Sequence, residues 1–345
     1  MKTKAAVLYK QNEPLKIEEL SIPDLREGQV LVKIRFSGVC HSQLNEIKGW
    51  KGPDRFLPHT LGHEGSGVVE AVGKGVKKVK PGENVVLTWI KGKGKDVPST
   101  GYLDQYGAKV NSGAISTFMT RTIISENRIV KIDKRMPLME AALLGCAVPT
   151  GAGIVINSAK VKKGTSAAIF GVGGIGMSAL IAAKMAGAVV LIAVDVTSGK
   201  LNMASKLGAT HVIDASTSDP YAEIMNITSS KGVDLAIEAS GKISAMEAAF
   251  RSVRDNGGLC VLAGNLAHGE RISMDPFDLI KGKRIIGTWG GESDPDRDIP
   301  EYVKMFLDRK LELSSLISRK FKLEEINDAF DALEKGLVGR AVIEL

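Results

Sequence analysis

The stretch "IFGVGGIGMSALIAA", residues 169–183, sets Gly171, Gly173 and Gly176 in G-x-G-x-x-G spacing. Alone that pattern is weak. Here it ends the apolar run "SAAIFG" and opens a segment of helical apolar period, and Asp195 closes the next run, "AVVLIAVD", 19 residues past Gly176. Strand, glycine turn, helix and distant acid together make a dinucleotide-binding context. Gly171 makes the tight turn, Gly173 lets the backbone approach a pyrophosphate, and Gly176 permits close helix–strand packing. Gly174 and Ile175 begin the helix, whose N–H groups and positive dipole face the phosphates. Asp195 can hold both adenosine ribose hydroxyls and repels a 2′-phosphate, so the expected cofactor is NAD rather than NADP. Lys200, on the following turn, either lies against the same ribose or is a solvated helix lysine.

Outward from this turn, "THVID", "VDLAIEAS", "GLCVLAG" and "RIIGTW" are further short apolar runs. Between them stand the helical candidates "KLNMASKLGA", "YAEIMNITSS" and "ISAMEAAFRSV". Alternating strands and helices predict a doubly wound parallel sheet, a Rossmann domain over residues 148–288. Residues 1–147 read differently: "QVLVKIRFSGV", "GSGVVEAVG", "ENVVLTWI" and "RTIISENRIVKI" alternate apolar with polar positions, as in a twisted β-barrel. "KGKGKDVPSTGYLDQYGAKVNSG", residues 91–113, has no sustained period and is expected to be a long loop. Residues 289–345 carry two charged helices and the terminal strand "RAVIEL", which return to the first domain and make the sheet domain an insertion.

At 345 residues the chain suits two domains. Its net charge of +7 comes from scattered lysines with no aromatic-interleaved basic stretch, which argues against nucleic acid and suits an anionic small ligand. No run of about 18 apolar residues occurs, so no membrane partner is expected. The first residues carry charges every few positions and no apolar signal segment, so the expected location is cytoplasmic. Cys40, Cys146 and Cys260 are too few for a disulfide framework.

A second cluster is chemical. "GVCHS" holds Cys40, His41 and Ser42, "LGHEG" holds His63 and Glu64, and "LLGCAVPTG" holds Cys146. Two cysteines and one histidine that leave an open position form a catalytic zinc set. No pair is closely spaced, so spacing alone leaves open plain packing of buried cysteines.

Taken with "GHEGSGVVEAVG", "PGENVV", "GAISTF", "GVGGIG" and "GRAVIEL", these motifs cover nearly the whole chain. It resembles the zinc-dependent alcohol dehydrogenases of the medium-chain dehydrogenase/reductase family. The resemblance implies a GroES-like β-barrel catalytic domain around the Rossmann insertion, with zinc and NAD as cofactors. Cys40, His63 and Cys146 are the implied zinc ligands, and Glu64 a carboxylate that can reach the metal. Ser42 is the implied acceptor of the substrate alcohol's proton. His41 and Arg340 are implied at the cofactor pyrophosphate, Thr150 at the nicotinamide, and Trp89 at the substrate pocket. The implied reaction is reversible oxidation of a small alcohol to its aldehyde or ketone by a homodimer or homotetramer. A polyol or cyclitol dehydrogenase, and a non-catalytic NAD-binding protein, are the alternatives.

Three departures from the family stand out. Gln43 replaces the usual aspartate that holds the zinc-binding imidazole, though its carbonyl can still accept the His63 N–H. Asn45 replaces a histidine that ends the proton relay in many members. Residues 88–115 contain none of the four cysteines of the family's structural-zinc lobe, so one zinc per subunit is expected.

Overall fold

Strand β3 (Gln29–Val39) organises the first part of the chain. Its alternation buries Val30, Val32 and Ile34 in one apolar cluster with Val69 of β5 (Glu64–Val72), and with Val85 and Leu87 of β6 (Asn84–Thr88). The computed structural model describes all 345 residues and divides into two units, Met1–Cys146 with Asp294–Leu345, and Ala147–Ser293.

In the first unit, β1 (Lys2–Leu8), β2 (Lys16–Ser21), β7 (Gly101–Leu103), β8 (Lys109–Ser112) and β4 (His59–Thr60) close a barrel. A second sheet runs β10 (Ile129–Lys131), β6, β5, β3, β18 (Ala341–Glu344) and β17 (Arg319–Lys322), with β9 (Arg121–Ser125) also paired to β3. The C-terminal strand thus lies antiparallel beside β3, Ala341 opposite Val39. Helix α1 (His41–Ile47) follows β3, and helix α10 (Ile326–Glu334) shares its apolar cluster through Phe330 and Leu333.

The 91–113 stretch is not wholly a loop, as its lack of period had suggested. Strands β7 and β8 pair within it, Tyr102 opposite Val110, and both of those side chains are buried beside Leu20. Strands of three and four residues are too short to show a period.

In the second unit six parallel strands run in the order β13 (His211–Asp214), β12 (Val190–Asp195), β11 (Ser166–Phe170), β14 (Leu235–Glu238), β15 (Leu259–Leu262) and β16 (Arg284–Gly287). This is the Rossmann order. Helices α4 (Gly174–Met185), α5 (Ser198–Leu207), α6 (Pro220–Ile227) and α7 (Ile243–Ser252) supply the crossovers. Residues 289–293 stay with this unit instead of beginning the return, because Ser293 Oγ donates to the Pro149 carbonyl at 2.8 Å and Asn157 donates to that of Gly291 at 3.1 Å. No single helix is long and apolar enough to cross a membrane.

Candidate metal centre and cofactor turn

Strand pairing brings the first cluster together. Ser37 of β3 pairs with Gly65 of β5, so Cys40, just past the end of β3, comes to lie near His63, just before β5. On the other side of β3, the register Val39–Ala341 sets Arg340 beside Cys40. Thr88, opposite Glu64 on β6, donates to the Gly145 carbonyl at 2.7 Å and fixes the turn that delivers Cys146. Residues more than a hundred positions apart therefore converge. One donor atom from each of Cys40, His63, Glu64 and Cys146 lies within 4.8 Å of the others.

The chemistry of the set suits a thiophilic cation. His63 Nε2 is buried and makes no hydrogen bond of ordinary geometry, a costly state unless something else satisfies it. The Cys40 thiol is held well below the usual thiol range, first by Cys146 beside it, then by the His63 imidazole and the Arg340 guanidinium, all against burial. Cys260, by contrast, sits in β15 with its thiol pushed up to about 12, by burial and then by Glu238. It is a packing residue. The Cys40, His63 and Cys146 donors fit zinc.

Glu64 fills a recess that only glycine allows. A Cβ on Gly38 would stand 2.6 Å from its carboxylate. That carboxylate is ion-paired with Arg340, and both are buried. Arg340 is thus turned inward, and burial holds its guanidinium below its usual value. His41 is exposed at the start of α1, and Ser42 is half-buried one residue on. Gln43 is buried, and its carbonyl accepts the Gly62 backbone N–H instead of the expected His63 N–H, so it touches the residue before the imidazole. Trp89 is half-buried and, like Val72 and Val76, packs against the cluster that includes Val85 and Leu87.

In the second unit the glycine turn shows three separate reasons for glycine. Gly171 has φ +84°, and a Cβ there would meet Ser240 at 2.7 Å; a Cβ on Gly176 would stand 2.1 Å from the Gly171 carbonyl. One on Gly173 would meet nothing within 4 Å. That open face, beside the uncapped start of α4, is where a pyrophosphate fits. Gly174 and Ile175 form the first turn. Asp195 ends β12 with its carboxylate accepting from Val172, Val196 and Thr197 N–H groups at 2.9–3.0 Å. Lys200 is half-buried in the first turn of α5. Thr150 Oγ1 is buried in α3 (Ala147–Gly153) and makes no hydrogen bond within the chain.

Sequence reading missed Glu238, whose carboxylate accepts from the Ser240 and Gly241 N–H groups and holds that loop against Gly171. An acid ending the run "VDLAIEAS" was the available signal. It also missed the group Glu46, Asp54 and His59, whose carboxylate and imidazole atoms lie within 4.8 Å of one another.

Fold and site together define a zinc-binding, nucleotide-dependent dehydrogenase. Residues 26–134 match the alcohol dehydrogenase GroES-like domain, and residues 174–308 match the zinc-binding dehydrogenase family. The chain is 32% identical to alcohol dehydrogenase 2 of Zea mays, over 100% of this chain and 98% of that protein. An alcohol dehydrogenase zinc-binding domain protein from Burkholderia ambifaria superimposes with a TM-score of 0.92 at 33% identity, covering 100% of this chain and 99% of that one. Benzyl alcohol dehydrogenase from Acinetobacter calcoaceticus does so at 0.90 and 31%, with the same coverage. The chain belongs to the zinc-type alcohol dehydrogenases of the medium-chain dehydrogenase/reductase family.

Proposed function

We propose that Cys40, His63 and Cys146 hold the catalytic zinc and that Ser42 takes the proton of the alcohol hydroxyl. The enzyme interconverts an alcohol and its aldehyde or ketone by hydride transfer, using zinc and NAD. The observation that carries the residue assignment is the gathering of the two thiols and the His63 imidazole within 4.8 Å, beside a His63 Nε2 that is buried and makes no hydrogen bond. Zinc held there supplies Lewis acidity that makes the alcohol hydroxyl more acidic, and NAD supplies the hydride acceptor.

The chain's own residues do the rest. Ser42 orients the hydroxyl and passes its proton on. Glu64 stays committed to Arg340 and reaches the metal only if that ion pair opens. Asp195 holds the adenosine ribose, the start of α4 holds the phosphates, and Thr150 and Trp89 are proposed for the nicotinamide and substrate. His41 is proposed for the pyrophosphate, with Arg340, whose Nε Glu64 leaves free. Lys200 is proposed beside the ribose.

The substrate is proposed to be a primary alcohol, since "LLGCAVPTG" resembles that branch of the family. The proposed assembly is a homodimer or a homotetramer in the cytoplasm. Strand β16 is an open sheet edge, and beside it Phe277, Leu279 and Ile280 are exposed on α8 (Pro276–Ile280), a surface suited to a second copy. Three buried cysteines, none in a disulfide, suit a reducing compartment. The test is zinc content together with NADH formation from ethanol, benzyl alcohol, 2,3-butanediol and a cyclitol. Zinc-free protein that turns over all four at the loaded rate would overturn the ligand assignment.

A further inference from the structure

We propose that Glu238 is a positioning residue for the nicotinamide half of NAD, its carboxyl tying the loops after β14 and β15 into one shelf beside the glycine turn. This rests on the dehydrogenase reading above. Strand β11 comes first in the second unit, with β12 and β13 on one side of it and β14, β15 and β16 on the other. The strand order therefore reverses between β11 and β14. A dinucleotide lies across the crevice at such a point, one nucleotide over each half of the sheet. Asp195, at the end of β12, is the residue proposed for the adenosine half. The loops that follow β14 and β15 floor the other half.

Glu238 is the last residue of β14 and is fully buried. Its backbone and its side chain each hold a loop. The carbonyl accepts the Ala263 N–H at 2.8 Å and the Gly264 N–H at 3.1 Å, which fixes the turn after β15. Oε1 accepts the Ser240 N–H at 2.7 Å, the Ser240 hydroxyl and the Gly241 N–H at 2.9 Å, which fixes the turn after β14. The two loops meet with no space for a side chain between them. A Cβ on Gly241 would stand 2.5 Å from the Asn265 carbonyl oxygen, and one on Gly264 would stand 2.3 Å from the Gly241 nitrogen. A Cβ on Gly171 would strike Ser240, so the same loop also presses on the glycine turn.

Outside this buried clamp, Ser240 and Asn265 are exposed. The shelf thus has a face that a ligand can reach and one carboxyl behind it. Holding the loops in this way carries a cost. Oε2 is buried, lies 2.4 Å from where a Cβ on Gly264 would stand, and makes no hydrogen bond. Burial pushes the carboxyl above its usual value in spite of the donors on Oε1. A buried polar atom left bare is rare, and such perturbed groups collect at functional sites. Being fully buried, Glu238 acts through the loops it holds.

The test is Glu238→Gln, which keeps the shape, weakens the acceptor and puts an amide nitrogen where Oε2 lies. Calorimetric titration of the zinc-loaded protein with NADH and with AMP separates the two halves of the site. Zinc content and the thermal midpoint serve as controls. The NADH dissociation constant should rise about tenfold as the charged acceptor is lost. That of AMP, which needs only the adenosine half, should stay within about twofold. In turnover the KM for NAD should rise while the KM for the alcohol does not. Ser240→Ala, at an exposed position, removes one donor to Oε1 and should raise the NADH constant about threefold. A general loosening of the unit would weaken NADH and AMP alike, and that result overturns the proposal. So does native NADH affinity in Glu238→Gln or, should that variant not fold, in Ser240→Ala. A native protein that binds neither NADH nor AMP overturns the dinucleotide reading, and the proposal with it.

Discussion

Glu64, at the start of β5, is ion-paired in the interior with Arg340, 276 residues further on and one residue before β18. The pair joins the metal cluster to the C-terminal strand. Replacing Arg340 by alanine leaves a buried carboxylate uncompensated beside two thiols, and such a loss costs about 3–5 kcal/mol. Glu64→Gln should cost less, since Arg340 keeps Cys40 as a neighbour. Denaturant unfolding of both variants checks the order. An Arg340→Ala protein as stable as the native one would mean that the pair is not held in solution.

Asp195 serves two masters. Both of its oxygens accept backbone N–H groups around the turn. Asp195→Gly should therefore narrow the preference for NAD over NADP and also destabilise the second unit by about 2 kcal/mol. Steady-state kinetics with both cofactors, and thermal unfolding, separate the two effects. A native enzyme using NADP as well as NAD would make the ribose assignment wrong.

The dinucleotide turn was legible because its determinants are local. Gly171, Gly173, Gly176 and Asp195 fall within one β–α–β unit, and each glycine's reason can be read from the spacing. The metal cluster was legible only through family resemblance. Cys40, His63 and Cys146 are brought together by the registers of β3, β5 and β6 and by one Thr88 hydrogen bond, none of which leaves a spacing rule in the chain. Strands β7 and β8 escaped notice because they are short. The Glu46–His59 contact escaped because it depends on how the loop after α1 folds back to β4. The inward turn of Arg340 could not be read from "GRAVIEL" either, since it follows from which strand β18 joins.

Metal stoichiometry should be about one zinc per chain. Where the family's cysteine lobe would stand, two carboxylates fasten the chain. Glu126 accepts from the N–H groups of Lys77, Lys78 and Lys95 at 2.6–3.1 Å, and Asp296 accepts from the Lys93 N–H at 2.5 Å while pairing with Lys78. Burial alone would raise the Glu126 carboxyl, but those backbone donors outweigh it and hold it below the usual carboxylate range. Its contribution is therefore complete above the unfolded value of about 4.3 and is lost as pH falls through the lower folded value. Glu126→Gln should cost about 2 kcal/mol at neutral pH and much less in acid. Elemental analysis finding two zincs in metal-replete protein would sink the one-zinc expectation.

Cys146→Ser should lose zinc while the fold survives, because the cluster lies on strands already closed by their own ladders and because such a site is catalytic rather than structural. The far-ultraviolet circular dichroism should be native and the zinc content near zero. Unfolding of the variant at room temperature would instead make the metal a structural one.

Gln43 and Asn45 change the reaction in opposite senses. A carboxylate near the zinc-binding imidazole makes it a more basic ligand and lessens the acidity that the metal confers. The Gln43 amide carries no charge and is spent on Gly62 N–H, so the native enzyme should ionise its alcohol at relatively low pH. Gln43→Asp should move the pH midpoint of oxidation upward. It should also cost some stability, because the shorter side chain no longer reaches Gly62. Asn45→His adds a base that titrates near about pH 6.5, on the half-buried face that carries Ser42. Oxidation should rise a few-fold between about pH 6 and 7, where an alcohol proton is hardest to remove, and little above that range. Stopped-flow NADH formation across pH, with zinc content held constant, reads both effects. If the two variants keep the native profile, Gln43 does not act on His63 and residue 45 does not lie on the proton path.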